Sequence, residues 1–492
     1  MIVRSCQPMQ HELHAFQNYF GAEREGLVVD SRGGSSRRGL LKASLAGVAG
    51  LSLSELLRTE AAAAQSGGPT ARPKSVILLW MAGGPSHIDT WDPKPGRPYQ
   101  NRGPFSPIQT ALPGVQICEH LPKQAAMLDK FTLIRSVDAR ASNHEPNAVF
   151  QTGNAAAEPR TNPEADKYPS IGSIVSKFCG GANPVVPPYV VFMKSRSHIP
   201  FAGYLGKRYD PFVGNQAAKL PIYDLVGGDT LKETGADLFQ LPAGLSHERL
   251  HDRRALLEDF DRLRRDLDRD GSMEALESYR HQALEMVIGR KAQQAFDLSL
   301  EPEASRDRYG KHLWCQQALL ARRLVEAGVR FVTIDLSYHT ASGTWDTHGD
   351  NIPPYGGITK GLGPLLPLFD HLLTTLVGDL DARGLLDDVL VMAMGEFGRT
   401  PQMGTQGSTD GRDHWPWVMS MSLAGGGLRH GQVIGGTESD GGYIRERPVT
   451  PADLAATLYR YLGVPLDATY LDNRGRPRYI VENEGQPIRE LF

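Results

Sequence analysis

The uninterrupted apolar run from Val76 to Trp80 sets the tightest limit on what this chain can fold into. A strand with one wet face alternates apolar and polar residues, whereas a strand covered on both faces is apolar throughout and belongs to a parallel sheet. Parallel neighbours cannot be joined by a hairpin, so helical crossovers must follow. Two further runs fit that demand, Val329 to Leu336 and Asp388 to Met394, each preceded by a helical pattern. The first helix, Leu313 to Ala327, stops at Gly328; the second, about Leu365 to Ala382, stops at Arg383-Gly384. At Thr450 to Asp453, a capping hydroxyl, a proline and an acid open a C-terminal helix. The expectation is an α/β fold with a mostly parallel sheet sandwiched by helices, spanning 75–492.

Between residues 246 and 298 the composition turns charged and helical. Leu256, Leu257, Phe260, Leu263 and Leu267 stand at helical spacing, with a break at Asp270-Gly271. A helical hairpin inserted in the α/β domain is predicted there, and its alternating charges suit a solvated face.

Upstream, Ser36 to Lys42 reads S-R-R-G-L-L-K and leads into a weakly apolar stretch, Ala43 to Leu57, then alanines and Gln65-Ser66. Paired arginines before a short apolar run that ends in small residues form a twin-arginine export signal. Residues 1–65 are therefore the signal region and its long n-region, cut near Ala64, and 66–74 a linker. The twin-arginine translocase is the expected partner, and the destination is the periplasm or the extracellular space. No apolar run reaches the roughly 18 residues that span a bilayer, so no stable membrane span is expected after cleavage. With a net charge of −3 and a pI near 6.6, the chain lacks the positive field that holds a nucleic acid. A small-molecule or neutral partner is more natural.

In open α/β sheets, ligands bind beyond the carboxyl ends of strands. The loop after the first run, Met81 to Pro95, carries Gly83, Gly84, Ser86, His87, Asp89 and Asp92. The loop after the second carries Asp346 and His348 in T-W-D-T-H-G-D-N. The region after the third carries Glu396, Arg399, Arg412, Asp413 and His414. Carboxylates and imidazoles together ligate a divalent metal, and guanidiniums steady an oxyanion. Ser86, His87 and Asp89 are too close in sequence for a hydrolase relay, and no G-x-S-x-G elbow is present.

Seven ordered motifs, among them G-G-P-S-H-I-D-T-W-D-P-K-P, Y-P-S-I-G-S, W-D-T-H-G-D-N, G-E-F-G-R-T-P and G-R-D-H-W-P, resemble the bacterial family called domain of unknown function 1501. The resemblance implies an alkaline phosphatase/sulfatase-like fold and a one- or two-metal site that splits phosphate or sulfate esters, with a small-molecule or glycan ester as the substrate. It also marks departures. Where that superfamily ends its first strand with a metal-binding aspartate, this chain has Ala82, Gly83 and Gly84, and the nearest acid is Asp89. Where a nucleophilic hydroxyl or modified cysteine stands upstream of a Thr-Gly pair, this chain has Asn143 or His144, with Ser142 one step away. His144 is then a ligand or an unusual nucleophile. A late D-H-G is replaced by G-E-F-G, so Glu396 keeps one ligand and Phe397 loses another.

Two readings follow. In the first, His87, Asp89, Asp346, His348, Glu396, Asp413 and His414 supply ligands for a divalent metal, zinc or manganese ahead of calcium or magnesium, while Arg399 or Arg412 steadies the oxyanion. In the second, the fold serves a non-catalytic binding or assembly role in the envelope, the superfamily nucleophile having been lost.

Overall fold

The structure is a computed structural model and describes residues 72–142, 148–182, 186–218, 220–223, 229–234, 290–339, 343–351, 355–482 and 484–492. The chain divides into two units, Met1–Arg72 and Pro73–Phe492, and every feature described below belongs to the second. The export signal, His144 and nearly all of the expected 246–298 hairpin lie outside the described residues.

The apolar runs form the middle of one eight-stranded sheet. In chain order its strands are β1 (Ser75–Trp80), β2 (Phe131–Val137), β3 (Tyr189–Phe192), β4 (Phe212–Val213), β5 (Phe331–Asp335), β6 (Val389–Met394), β7 (Met419–Gly425) and β8 (Gln432–Ile434). Their spatial order is β8-β2-β7-β6-β1-β5-β3-β4. β1 is parallel to both neighbours, with Trp80 level with Met394 on one side and Asp335 on the other. The pairs of β5 with β3, β3 with β4 and β2 with β8 are parallel too. Only β7 runs against the rest, between β6 and β2. Central β1 is buried at all six positions, as an apolar run without alternation requires.

Each face of the sheet carries its own core. Ile77 and Leu79 point toward the helices Leu313–Ala327 and Gly363–Ala382, while Val76, Leu78 and Trp80 point toward Ile171–Cys179 and Pro451–Leu462. The helix ends follow their chemistry. Gly328 takes a left-handed φ of 106° and closes the first of these helices. Thr450 and Asp453 form a complete capping box on the last. The Gly363–Ala382 helix starts two residues earlier than its apolar pattern suggests, because a π-helical turn, Gly357–Leu362, feeds directly into it. Among the described residues, no helix is long and apolar enough to cross a membrane.

Under the first helical layer lies a buried ionic joint. Arg322 meets Glu301 at 2.5 Å, Glu326 at 2.6 Å and Asp379 at 3.1 Å, and Tyr309 donates to Asp379 at 3.0 Å. Removing one partner from such a group leaves buried charge without compensation. Arg322→Met is expected to cost about 3–5 kcal/mol, read as a fall in the urea midpoint of unfolding; an unchanged midpoint would show that the joint is energetically neutral.

Candidate functional site

The carboxyl ends of β6, β1 and β5 lie side by side, so the three motif-bearing loops leave the sheet together. Backbone hydrogen bonds stitch them: Met81 N donates to Met394 O at 2.8 Å, and Trp345 N to Ala82 O at 3.0 Å. Gly83 sits at the crossing with φ 117°. A Cβ there would lie 2.3 Å from Asp346 N and 2.8 Å from Gly343 O, so no side chain fits. Position 83 therefore admits no aspartate in this conformation. The Gly83 amide donates to Glu396 Oε1 at 2.8 Å instead.

Asp346, His348 and His414 come together, each offering one ligand atom, with these atoms all within 4.8 Å of one another. His348 Nδ1 lies 2.5 Å from Asp346 Oδ1, its amide donates to the same oxygen at 3.1 Å, and its Nε2 lies 3.2 Å from Asp413 Oδ1. The His348 and His414 rings meet edge to face at 4.4 Å between centroids, and Phe397 packs against His414 at 4.9 Å. His414 reaches this place because the short strand His414–Trp415 pairs with Gly398–Arg399, setting His414 opposite Arg399. Two imidazole nitrogens and a carboxylate oxygen are donors that suit zinc or manganese.

Both arginines expected to steady an oxyanion serve the scaffold. Arg399 is fully buried; its Nε donates to Gly84 O at 2.9 Å, Nη1 to Arg412 O at 3.2 Å, and Nη2 to Gly83 O, with Asp346 Oδ1 at 2.8 Å from Nη2 and His348 Nδ1 at 3.2 Å from Nη1. Arg412, equally buried, spends its Nε on Asp89 (2.7 Å), Nη1 on Thr400 O and Pro401 O, and Nη2 on Asn101 O (2.7 Å) and Asp89. A guanidinium has five N–H groups; those of Arg412 all meet oxygen acceptors, as do four of those on Arg399, whose fifth faces His348 Nδ1 beside Asp346. Both guanidiniums are thus engaged by the loops themselves.

Of the remaining expected ligands, Asp413 touches the triad and the others have partners elsewhere. Asp89 is taken by Arg412 and by Ser86 Oγ at 2.5 Å. His87 lies 2.8 Å from Gly441 O through Nε2, and burial pushes its pKa down to about 4 against the pull of Asp92. A ring held neutral in this way donates from Nε2, and its Nδ1 is buried with no partner. Burial likewise pushes the Glu396 carboxyl up to about 8, opposed by the Gly83 amide. Asp413 stands at the rim, next to His348, as a half-exposed carboxylate.

One buried pair escaped sequence reading. Asp335, the last residue of β5, accepts from the Lys194 amide at 2.9 Å and lies 2.8 Å from His198 Nδ1, with both side chains buried. An acid at the end of an apolar strand was the available signal for Asp335. Nothing local marked His198, which the loop after β3 brings over from a distant segment.

A family model described as Protein of unknown function (DUF1501) matches residues 73–492. Among solved structures, the chain is similar to a sulfatase from Pseudoalteromonas sp., with 14% identity, a TM-score of 0.35, and coverage of 83% of this chain and 70% of that one. It is also similar to a phosphonate monoester hydrolase of Agrobacterium radiobacter, with 11% identity, a TM-score of 0.35, and coverage of 85% and 77%. No curated protein matches.

Since burial keeps His87 neutral, its contribution to stability is whole above about pH 6.5 and is lost as the pH falls toward 4. His87→Gln keeps a donor for Gly441 O and removes the titration. Relative to this variant, the wild type is expected to lose up to about 3 kcal/mol across that window, seen in thermal midpoints; parallel midpoint curves would contradict it.

Proposed function

The chain belongs to the DUF1501 family, and from that premise we propose that it is a metal-dependent hydrolase of phosphate or sulfate esters. The observation that carries the proposal is the convergence of Asp346, His348 and His414 from two separate loops onto one small volume. A site with three protein ligands leaves a coordination position for substrate or water, which is the pattern of catalytic rather than structural zinc. When bound, a divalent ion supplies Lewis acidity to an ester oxygen and lowers the pKa of a water molecule from 15.7 toward about 7.

The chain's own residues do the rest. Arg399 fixes the orientation of Asp346 from behind, and the Asp346 carboxylate in turn holds the His348 ring by Nδ1. Buried Trp345 and Phe397 exclude water from the back of the site. Asp413 stands next to His348 Nε2 at the open side and, against a partial burial that pulls the other way, is kept ionised by the His414 amide and the two neighbouring imidazoles. A second, non-catalytic reading draws on the engagement of both arginines by the loops: a protein that binds an ion and a ligand without turnover needs no free guanidinium. The Ser36 to Lys42 signature supports placing either activity outside the cytoplasm, after export by the twin-arginine translocase.

Purified protein is expected to carry zinc or manganese by elemental analysis and to hydrolyse members of a 4-nitrophenyl phosphate and sulfate panel. His348→Ala and His414→Ala should each weaken metal binding at least ~100-fold, beyond the effect of outer-shell changes, and abolish turnover. Metal-free protein, or variants with undiminished turnover, would sink the hydrolase. Bound metal without turnover would support the second reading.

A further inference from the structure

Beside the candidate metal site, the same sheet edge carries a rigid pair of exposed aromatic rings. Met419, the first residue of antiparallel β7, is level with Val137, the last of β2, so the residues just before the one and just after the other lie together at the carboxyl edge. Trp417 and Arg140 occupy those places, and the Arg140 guanidinium lies 5.6 Å from the Trp417 ring centroid. Trp417 packs edge to face on Tyr443 at 5.7 Å, and Tyr443 on Trp415 at 5.6 Å. Trp417 and Tyr443 remain 42% and 45% exposed.

The rings have a stiff backing. Glu438 N donates to Tyr443 O at 2.9 Å, Asn101 Nδ2 to Asp440 O at 2.8 Å, and Gly442 N to Asp440 Oδ1 at 2.8 Å. His87 reaches Gly441 O, and Trp415 Nε1 donates to Gly442 O. The 438–443 turn is thereby tied to the loop after β1. Asp138 grips Arg140 through both carboxylate oxygens at 2.5–3.0 Å. Beyond Arg140 opens a cleft of about 440 Å³ whose walls include Asp138, Gly153 and Thr450.

Large aromatic faces kept in water, side by side on a preorganised support, mark a binding surface. The surroundings select the occupant. A peptide's apolar side chain would want a greasy groove, but Trp417 is flanked by the Arg140 guanidinium and, through it, the Asp138 carboxylate. A pyranose ring matches both halves, with a C–H face to lie on the Trp417 indole, against which Tyr443 stands edge-on, and a rim of hydroxyls for polar neighbours. The cleft is of ligand-pocket size.

We infer that Trp417, Tyr443 and Arg140 form a sugar-stacking subsite, so that the substrate is a carbohydrate ester whose ring rests on this platform; the substrate assignment rests on the hydrolase reading above. Trp80, Trp91, Trp314 and Trp345 are buried, so changes in tryptophan emission on ligand addition report on Trp415 and Trp417. The full chain is titrated with neutral tetrasaccharides and with sulfated and desulfated chondroitin tetrasaccharides, with and without chelator. At least one should give saturable quenching that survives the chelator. Trp417→Ala should weaken that binding by roughly tenfold or more, while Trp417→Phe, which keeps an aromatic face, retains most of it. Thermal midpoints confirm that both variants fold. Quenching by none of the probes, or equal affinity in wild type and Trp417→Ala, overturns the subsite even if small esters are hydrolysed. Trp417-dependent binding in a protein that turns over no ester supports the subsite and defeats the hydrolase instead.

Discussion

The buried Arg399 guanidinium is the joint on which the site depends. A charge withdrawn from water must be met on every side, and Arg399 is met by the carbonyls of Gly83, Gly84 and Arg412 and by the Asp346 carboxylate. Those groups come from the loops after β1 and β5 and from the segment after β6. One residue thus draws three strand ends together and leaves Asp346 facing His348 in one geometry. Arg412 repeats the device one layer out, joining Asp89 to the carbonyls of Asn101, Thr400 and Pro401.

Close approach of backbones is the cost of this arrangement. Gly83 brings its amide to Glu396, its carbonyl to Arg399 and its α-carbon against the Asp346 amide, which only a residue without a side chain permits. The acid and imidazoles that gather at this corner, Asp346, His348 and His414, accordingly come from the later loops and not from the loop after β1.

Much of the scaffold was legible because its signals are local. Continuous apolar runs gave β1, β5 and β6 within a residue or two, and Gly328 and the Thr450 capping box gave helix ends, since each is decided by nearby chain. The antiparallel β7, the edge strands β4 and β8 and the π-helical entry to Gly363–Ala382 carried no such signal, being set by what they pack against. Among site residues, motif chemistry pointed to Asp346, His348 and His414 together with Arg399, Arg412, His87 and Asp89. Residue type alone could not separate a ligand from a strut.

By itself, then, the amino-acid sequence determined that the chain is an α/β protein whose polar motifs gather beyond the carboxyl ends of its central strands, because burial pattern and strand direction enforce that. Only the tertiary structure decided which polar groups face an open volume and which are consumed inside. Arg399, Arg412, Asp89 and His87 acquire their roles from partners hundreds of residues away, so their hydrogen bonds cannot be counted until the sheet has brought the loops together. The same holds for the exposed rings of Trp417 and Tyr443, which come together only where the antiparallel strand turns back to the carboxyl edge of the sheet.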